Sequence, residues 1–518
     1  MAADKERFRS RLGMMLTMLG MAVGTGNIWR FPRIAAANGG GEFLVAWLAF
    51  LFLWSIPLLL TELALGRKTR GGPVRAVVET MGPRWGWLGA FVALVTTLIS
   101  FYYSVVAGWT LTYAGATLAG SLPEAVPGEL WRSLTSSAWP LLGHGVMFGL
   151  AALVVARGVG AIERVALVMM PTLLALVVAL TLRALTLDGA SDGLSFLFSV
   201  DWGALGRPAL WLDALTQNAW DTGAGWGLAL CYAAYLRERE DTALNAFLLP
   251  TANNAISLLA GVMVFCTVFS VLPRIVASSA DPAALAALSP ALAEAVTGGA
   301  PVSAELLQQT IFSSGNTGIT FIWMPQLFAG IPGGRFFMFL FFAALAFAAF
   351  TSLLAMLELT TRTLVDAGWT RGRAIRAVAV VGFLGGAPSA LSMKLLDNQD
   401  WVWSVALILS GLIFAMAVVR HGPTKLRREH LNHEFSDVKI GRWWDPLIAA
   451  LVPLQAVVLV VWFLYGSWQA DSEGWLRPFD PDNVFNVGTV LVQIGVALLL
   501  LRLANKRIIA HVQKRSTE

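Results

Sequence analysis

Apolar stretches long enough to cross a bilayer, roughly 20 residues each, recur from one end of this 518-residue chain to the other. They fall at about 11–37, 42–66, 88–120, 138–156, 161–186, 209–236, 241–273, 335–366, 375–390, 398–419, 446–467 and 485–508. Twelve such spans leave no room for a separate soluble domain. An all-α polytopic membrane protein is therefore expected, as a single transmembrane domain over residues 1–518. A charged fraction of 13% and a mean hydropathy of +0.67 agree with this reading.

Lys and Arg cluster after alternate spans: Arg67, Lys68 and Arg70, then Arg237 and Arg239, then Arg371, Arg373 and Arg376. The first residues and the tail, with Lys506, Arg507, Lys514 and Arg515, are basic as well. The positive-inside rule then places both termini in the cytoplasm. The net charge of +5 follows from that orientation and calls for no nucleic-acid partner. "MAADKERFRSRLG" has no cleavage site after a short apolar core, so it is not read as a signal peptide. Cys231 and Cys266 both sit inside apolar spans, where no disulfide is expected. No N-x-S/T acceptor falls in an outside loop, which points to a bacterial plasma membrane. The basic stretch "RHGPTKLRREHLNHEFSDVKIGRWW" reads as a solvated cytoplasmic connector, and 276–333 as a helical hairpin capping the outside.

Two spans are interrupted at mid-length by glycine: the first at "GMAVGTGN" (Gly20 to Asn27), and the sixth at "DTGAGWG" (Asp221 to Gly227). Either alone could be close helix packing. Unwound backbone at membrane depth is tolerated only where it is buried in protein or lines a cavity. Two such breaks five spans apart point to an inverted-repeat transporter whose substrate sits where the breaks meet.

"GMAVGTGNIWRFP", "NGGGEF", "FYYSVVAGW", "GAIERVALVMMP", "GLSFLFSVDW", "NNAISLLAG" and "AFTSLLAMLE" occur in this order along nearly the whole chain. Together they resemble the signature stretches of the neurotransmitter:sodium symporter family. The resemblance implies the leucine-transporter-type 5+5 inverted repeat with twelve transmembrane helices, the first and sixth unwound at mid-membrane. That broken-helix architecture is a standard example of a midplane binding site. Repeat one would cover about 11–186, repeat two about 209–419, with accessory helices at about 446–508. The implied activity is sodium-coupled symport of a small amine or amino acid.

Residue by residue, the resemblance implies two sodium sites. One would take the carbonyl of Ala22, the side chains of Asn27 and Asn253, and position 221. The other would take the carbonyls of Gly20, Val23 and Ala348 with the hydroxyls of Thr351 and Ser352. The bland alternative for these two hydroxyls is bonding back to their own helix. Position 221 departs from the family, which usually has threonine or serine where this chain has Asp221. In chloride-dependent relatives the neighbourhood holds chloride on residues matching Gln217, Asn253, Ser257 and a tyrosine, whose place Trp47 takes here. An aspartate at mid-span costs about 2.5–3.5 kcal/mol, whereas a cation about 4 Å away returns on the order of 4 kcal/mol at an effective dielectric near 20. Asp221 is accordingly expected to be a fixed anion that replaces chloride. A proton-carrying Asp221, or one that pairs with a cationic substrate, is the alternative.

The substrate site would be built from Ala22, Gly24, Thr25, Gly26, Tyr103, Trp220, Asp221, Gly223, Trp226, Ser352 and Met356. Gly24 stands where monoamine-transporting relatives have aspartate. A substrate carboxylate can therefore approach the exposed amides of the half-helix, with Tyr103 as a hydrogen-bond donor. A lining this apolar suggests a neutral, hydrophobic α-amino acid. Arg30 and Asp400 match the family's outer charge pair. Lys5 with Asp366 matches the inner pair, and Phe8 would plug an apolar recess. Glu358 resembles the carboxylate that braces the unwound segments. Ala161 replaces a glycine often found ten residues before Pro171, which should make unwinding of the fifth span harder. The expected partners are the amino acid, sodium and the bilayer, for a monomer or homodimer. Other classes weigh less: no G-x-G-D aspartyl-protease sequence and no P-loop occurs. A transport-inactive sensor of the same fold preserves every one of these sites and stays open.

Overall fold

The structure, a computed structural model, describes residues 6–120, 128–278, 294, 297, 298, 310–312 and 314–516. Ten helices in it are long and apolar enough to cross a membrane: Gly41–Thr69, Pro83–Ala119, Trp139–Ala156, Val159–Leu185, Thr242–Val271, Gly334–Asp366, Arg371–Leu391, Met393–His421, Trp444–Ala470 and Val487–Val512. The pair Arg11–Ala22 and Thr25–Ala37, bent by 48°, makes an eleventh. The twelfth expected span, 209–236, is no continuous helix: it is present as Pro208–Asp221 and Leu228–Ala233, too short singly to span. The count of twelve is thus corrected to ten or eleven by length, with the sixth span divided at its glycines. Below, spans are numbered first to twelfth in chain order, with the divided segment as the sixth.

The seventh and tenth spans are the most buried, each with 78% of its apolar window inside the protein, followed by the third and eighth at 72%. The eleventh and twelfth are only 28% buried, so their apolar faces are left for lipid. Close helix approach rests on small residues. A Cβ on Gly108 would lie 2.5 Å from the carbonyl carbon of Gly143, so the third and fourth spans touch backbone to backbone. The start of the first span is fixed by a buried carboxylate from the fifth. Glu163 accepts from the amides of Arg9 (2.7 Å) and Ser10 (2.9 Å), while the Ser10 hydroxyl caps Gly13 at 2.9 Å.

Much of the expected hairpin at 276–333 lies outside the described residues. A described helix within it, Gly318–Ala329, rests on the third span, where Tyr113 donates to the carbonyl of Phe321 at 3.0 Å, and on the short helix Glu129–Thr135, where the Phe321 ring stacks on Trp131 at 5.0 Å. Cys231 and Cys266 are buried and free.

Candidate substrate and ion site

The first span ends its initial helix at Ala22 and restarts at Thr25, where Gly24 is the extended N-cap. Asn27 folds back so that its Oδ1 accepts the Gly24 N–H at 2.7 Å, which satisfies one of the amides left open by the break. The sixth span breaks for a matching reason. Gly223, Gly225 and Gly227 all have positive φ (70°, 91° and 81°), a region costly for any side chain with a Cβ. Its freed backbone groups find partners on neighbouring helices. Glu62 of the second span accepts from Gly225 N–H at 2.6 Å and Leu230 N–H at 3.1 Å, and the Thr96 hydroxyl of the third donates to the Trp226 carbonyl at 2.8 Å.

Both breaks open into one cavity of about 460 Å³, within the range of small-molecule sites. All residues assigned to the substrate line it: Ala22, Gly24, Thr25, Gly26, Tyr103, Trp220, Asp221, Gly223, Trp226, Ser352 and Met356. Tyr103 reaches the first break, its hydroxyl accepting from Thr25 N–H at 3.3 Å. A Cβ on Gly24 would come within 2.9 Å of that hydroxyl and 3.2 Å of Ser352 Oγ, so any larger residue there would press on both side chains. Trp220 and Trp226 meet edge to face at 5.4 Å.

Asn27, Asn253, Ser257 and Asp221 form one hydrogen-bonded chain. Asn27 Nδ2 donates to Asn253 Oδ1 (2.9 Å) and Ser257 Oγ (2.8 Å), and the Ser257 hydroxyl donates to Asp221 Oδ2 at 2.7 Å. Asp221 is 3% exposed, yet its Oδ1 has no hydrogen-bond partner among the described residues. Four residues before it, Gln217 is fully buried with both polar atoms unpartnered among the described residues, and so is the indole N–H of Trp47 on the second span. Trp47 packs instead on Phe31, with ring centroids 4.7 Å apart.

On the opposite side of the first break, the Ser352 hydroxyl lies 3.2 Å from the Val23 carbonyl and 3.3 Å from that of Gly20. Thr351 bonds back to the carbonyls of Phe347 (3.0 Å) and Ala348 (3.1 Å), while its Cβ is 3.0 Å from where a Cβ on Gly20 would sit. Five residues from two helices, Gly20, Val23, Ala348, Thr351 and Ser352, are thereby gathered into one oxygen-rich cluster.

The two ends of the cavity differ. At the vestibule end Arg30 and Asp400 both line the wall, yet no ion pair within 4.0 Å joins them among the described residues; the Arg30 guanidinium lies 5.3 Å over the Trp220 ring. The other end is shut. Phe8, 2% exposed, packs edge-on against Tyr232 and Tyr235 at 6.0 and 6.3 Å. Asp366 accepts from Gly72 N–H at 2.6 Å and pairs with Arg362 at 3.1 Å; its expected partner Lys5 lies outside the described residues. Glu358 is not the brace of the unwound segments. It pairs with Arg371 and accepts from the Tyr235 hydroxyl, closing this same end, and bracing falls to Glu62. A lone glutamate in the apolar run "LLLTELALG" was the available signal for Glu62.

The comparisons with known proteins agree with this geometry. The chain matches the Sodium:neurotransmitter symporter family over residues 5–138 and 132–504. It is 29% identical to an uncharacterized sodium-dependent transporter of Methanocaldococcus jannaschii, covering 90% of this chain and 91% of that one. It is 31% identical to the uncharacterized sodium-dependent transporter YhdH of Bacillus subtilis, covering 89% and 98%. Among solved structures it superimposes on MhsT in complex with L-phenylalanine with a TM-score of 0.72, at 28% identity, covering 88% of this chain and 99% of MhsT. The chain belongs to the Sodium:neurotransmitter symporter family, and is a multi-pass membrane transporter rather than an enzyme.

Proposed function

We propose that this protein is a sodium-coupled symporter that imports a neutral, hydrophobic α-amino acid by alternating access. One observation carries the reading: both helix breaks open into the same cavity, where a buried carboxylate oxygen of Asp221 has no hydrogen-bond partner among the described residues. An orphaned carboxylate oxygen beside unwound carbonyls suits a hard monovalent cation. One sodium is assigned to Ala22, Asn27, Asp221 and Asn253, and a second to Gly20, Val23, Ala348, Thr351 and Ser352. The substrate carboxylate is assigned to the amides at Thr25 and Gly26 with the Tyr103 hydroxyl, at the positive end of the half-helix. Its side chain then lies between Trp220, Trp226 and Met356. The L-phenylalanine bound by MhsT supports an apolar amino acid as the class.

Asp221 serves as the fixed negative charge, so transport does not require chloride. The lack of an ion pair between Arg30 and Asp400 among the described residues supports an outward-facing form, with Phe8, Tyr235, Glu358 and Arg371 assigned to closure of the cytoplasmic side. Both termini are assigned to the cytoplasmic side of the plasma membrane, and the two repeats to about 11–186 and 209–419, with accessory helices beyond.

The test is a thermal-shift screen of the twenty amino acids with and without sodium, followed by uptake and counterflow of those that stabilise the protein in proteoliposomes. Sodium-driven accumulation of an apolar amino acid, unchanged when gluconate replaces chloride, is expected. Strong chloride dependence would sink the role of Asp221. Binding without counterflow would make the protein a sensor of this fold.

A further inference from the structure

The last two helices lie outside the repeats that form the site, yet they reach into its vestibule. Phe463 of the eleventh span and Phe485, just before the twelfth, line the same cavity as Arg30 and Asp400. Between their rings sits Trp401, the residue after Asp400, at 4.8 Å from Phe463 and 5.7 Å from Phe485. The indole N–H of Trp401 is buried without a hydrogen-bond partner among the described residues, and the side chain packs on these two rings.

The backbone of Phe485, whose side chain is half exposed, is hydrogen-bonded on both sides. Its N–H donates to Asn483 Oδ1 at 3.1 Å, and its carbonyl accepts from the Ser467 hydroxyl at 3.1 Å. The loop that carries it is tied to the start of the tenth span, where Lys394 donates to the Pro481 carbonyl (2.9 Å) and Asn398 to that of Val484 (2.7 Å). Gln493 of the twelfth span closes the tie by donating to Asn398 Oδ1 at 3.0 Å. An approach of the outer end of the tenth span to the first would bring Asp400 toward Arg30 and shift Trp401, the next residue, against the two phenylalanine rings.

We infer that Phe485 is a positioning residue of the outer gate: with Phe463 it clamps Trp401 and so holds Asp400 back from Arg30, making the accessory helices a brake on outer closure. The inference rests on Arg30 and Asp400 being the outer gate, as proposed above. An aromatic contact of this kind converts to a bias of roughly two- to tenfold in the open-to-closed ratio.

The experiment places a cysteine at Val106, a nearly buried residue lining the same cavity, and measures its labelling by a hydrophilic maleimide in nanodiscs without substrate. The native Cys231 and Cys266 are buried. F485A is expected to slow labelling roughly two- to tenfold, with F485L restoring part of the rate. D400N added to F485A is expected to cancel the slowing, because there is then no pair to form. N398A, which loosens the tie away from the cavity, is expected to act in the same direction and substitutes for F485A should that variant not fold. Labelling of F485A at the parental rate, while D400N alone alters it, overturns the inference and leaves the gate intact. Slowing that survives D400N also overturns it, since the effect is then general loosening. A D400N variant whose labelling matches the parent in both sodium and potassium removes the gate assignment itself.

Discussion

The Ser257 hydroxyl donates to Oδ2 of Asp221 at 2.7 Å, while Oδ1 of the same buried carboxylate has no hydrogen-bond partner among the described residues. A half-satisfied carboxylate in a low-dielectric interior is costly unless something cationic completes it. Gln217, four residues before Asp221, and Trp47 of the second span likewise have polar side-chain atoms without a hydrogen-bond partner among the described residues. D221N keeps the shape and the Ser257 contact but removes the charge. It is expected to weaken sodium binding by about tenfold or more, as even about 1.4 kcal/mol of lost attraction dictates. The sodium dependence of thermal stability reads this directly, and an unchanged midpoint would assign the charge another role.

Glu62 accepts two amides of the broken sixth span, so its loss leaves Gly225 and Leu230 N–H groups buried and unpaired. Each orphan costs about 1–3 kcal/mol. E62A is expected to lower the melting temperature markedly. E62Q retains one acceptor but turns an NH2 toward one of the two N–H groups, so it should fall between parent and E62A. Equal stability of all three variants would mean that the break is held by its glycines and by Thr96 alone.

Gly24 has φ −122°, a conformation open to alanine, so G24A reports contact rather than strain. The added Cβ would press on Tyr103 Oη at 2.9 Å and Ser352 Oγ at 3.2 Å. Both G24A and Y103F should weaken binding of the amino acid several-fold with little change in the stability of the ligand-free protein. Because both act through one hydroxyl, the double variant should lose less than the sum of the two. Strict additivity, read by titration calorimetry, would separate Tyr103 from the first break.

The parts of this site legible in the sequence are those where a residue type is forbidden by its surroundings. Glycine runs and Asp221 inside apolar spans have few structural explanations, so the two breaks and the cavity they share could be located from them. Glu62 obeys the same rule but stands alone, without a glycine cluster to mark what it holds. The motif around Glu358 fixes its position along a helix and not its neighbours, which are Tyr235 and Arg371. The separation of Arg30 from Asp400 is a property of conformation, which one sequence shared by open and closed forms does not encode. Phe485 lay beyond sequence reasoning because its approach to Trp401 depends on how the eleventh and twelfth spans fold back on the tenth.

Ala161 tests how the closed end opens. The fifth span runs unbroken from Val159 to Leu185, with Ala161 in its first turn, and its Glu163 holds the amides that begin the first span. Freeing the first span therefore requires this turn to loosen. Alanine favours helix over glycine by about 0.5–1 kcal/mol, so A161G should make unwinding about two- to fivefold easier. The affected step is opening toward the cytoplasm, not binding, so sodium and substrate affinities in the outward-facing form should hold. If that opening limits turnover, uptake rises by the same factor, and a cysteine placed at Thr17, 3% exposed near the shut end, labels faster. Unchanged labelling in A161G would show that the first span opens without unwinding the fifth.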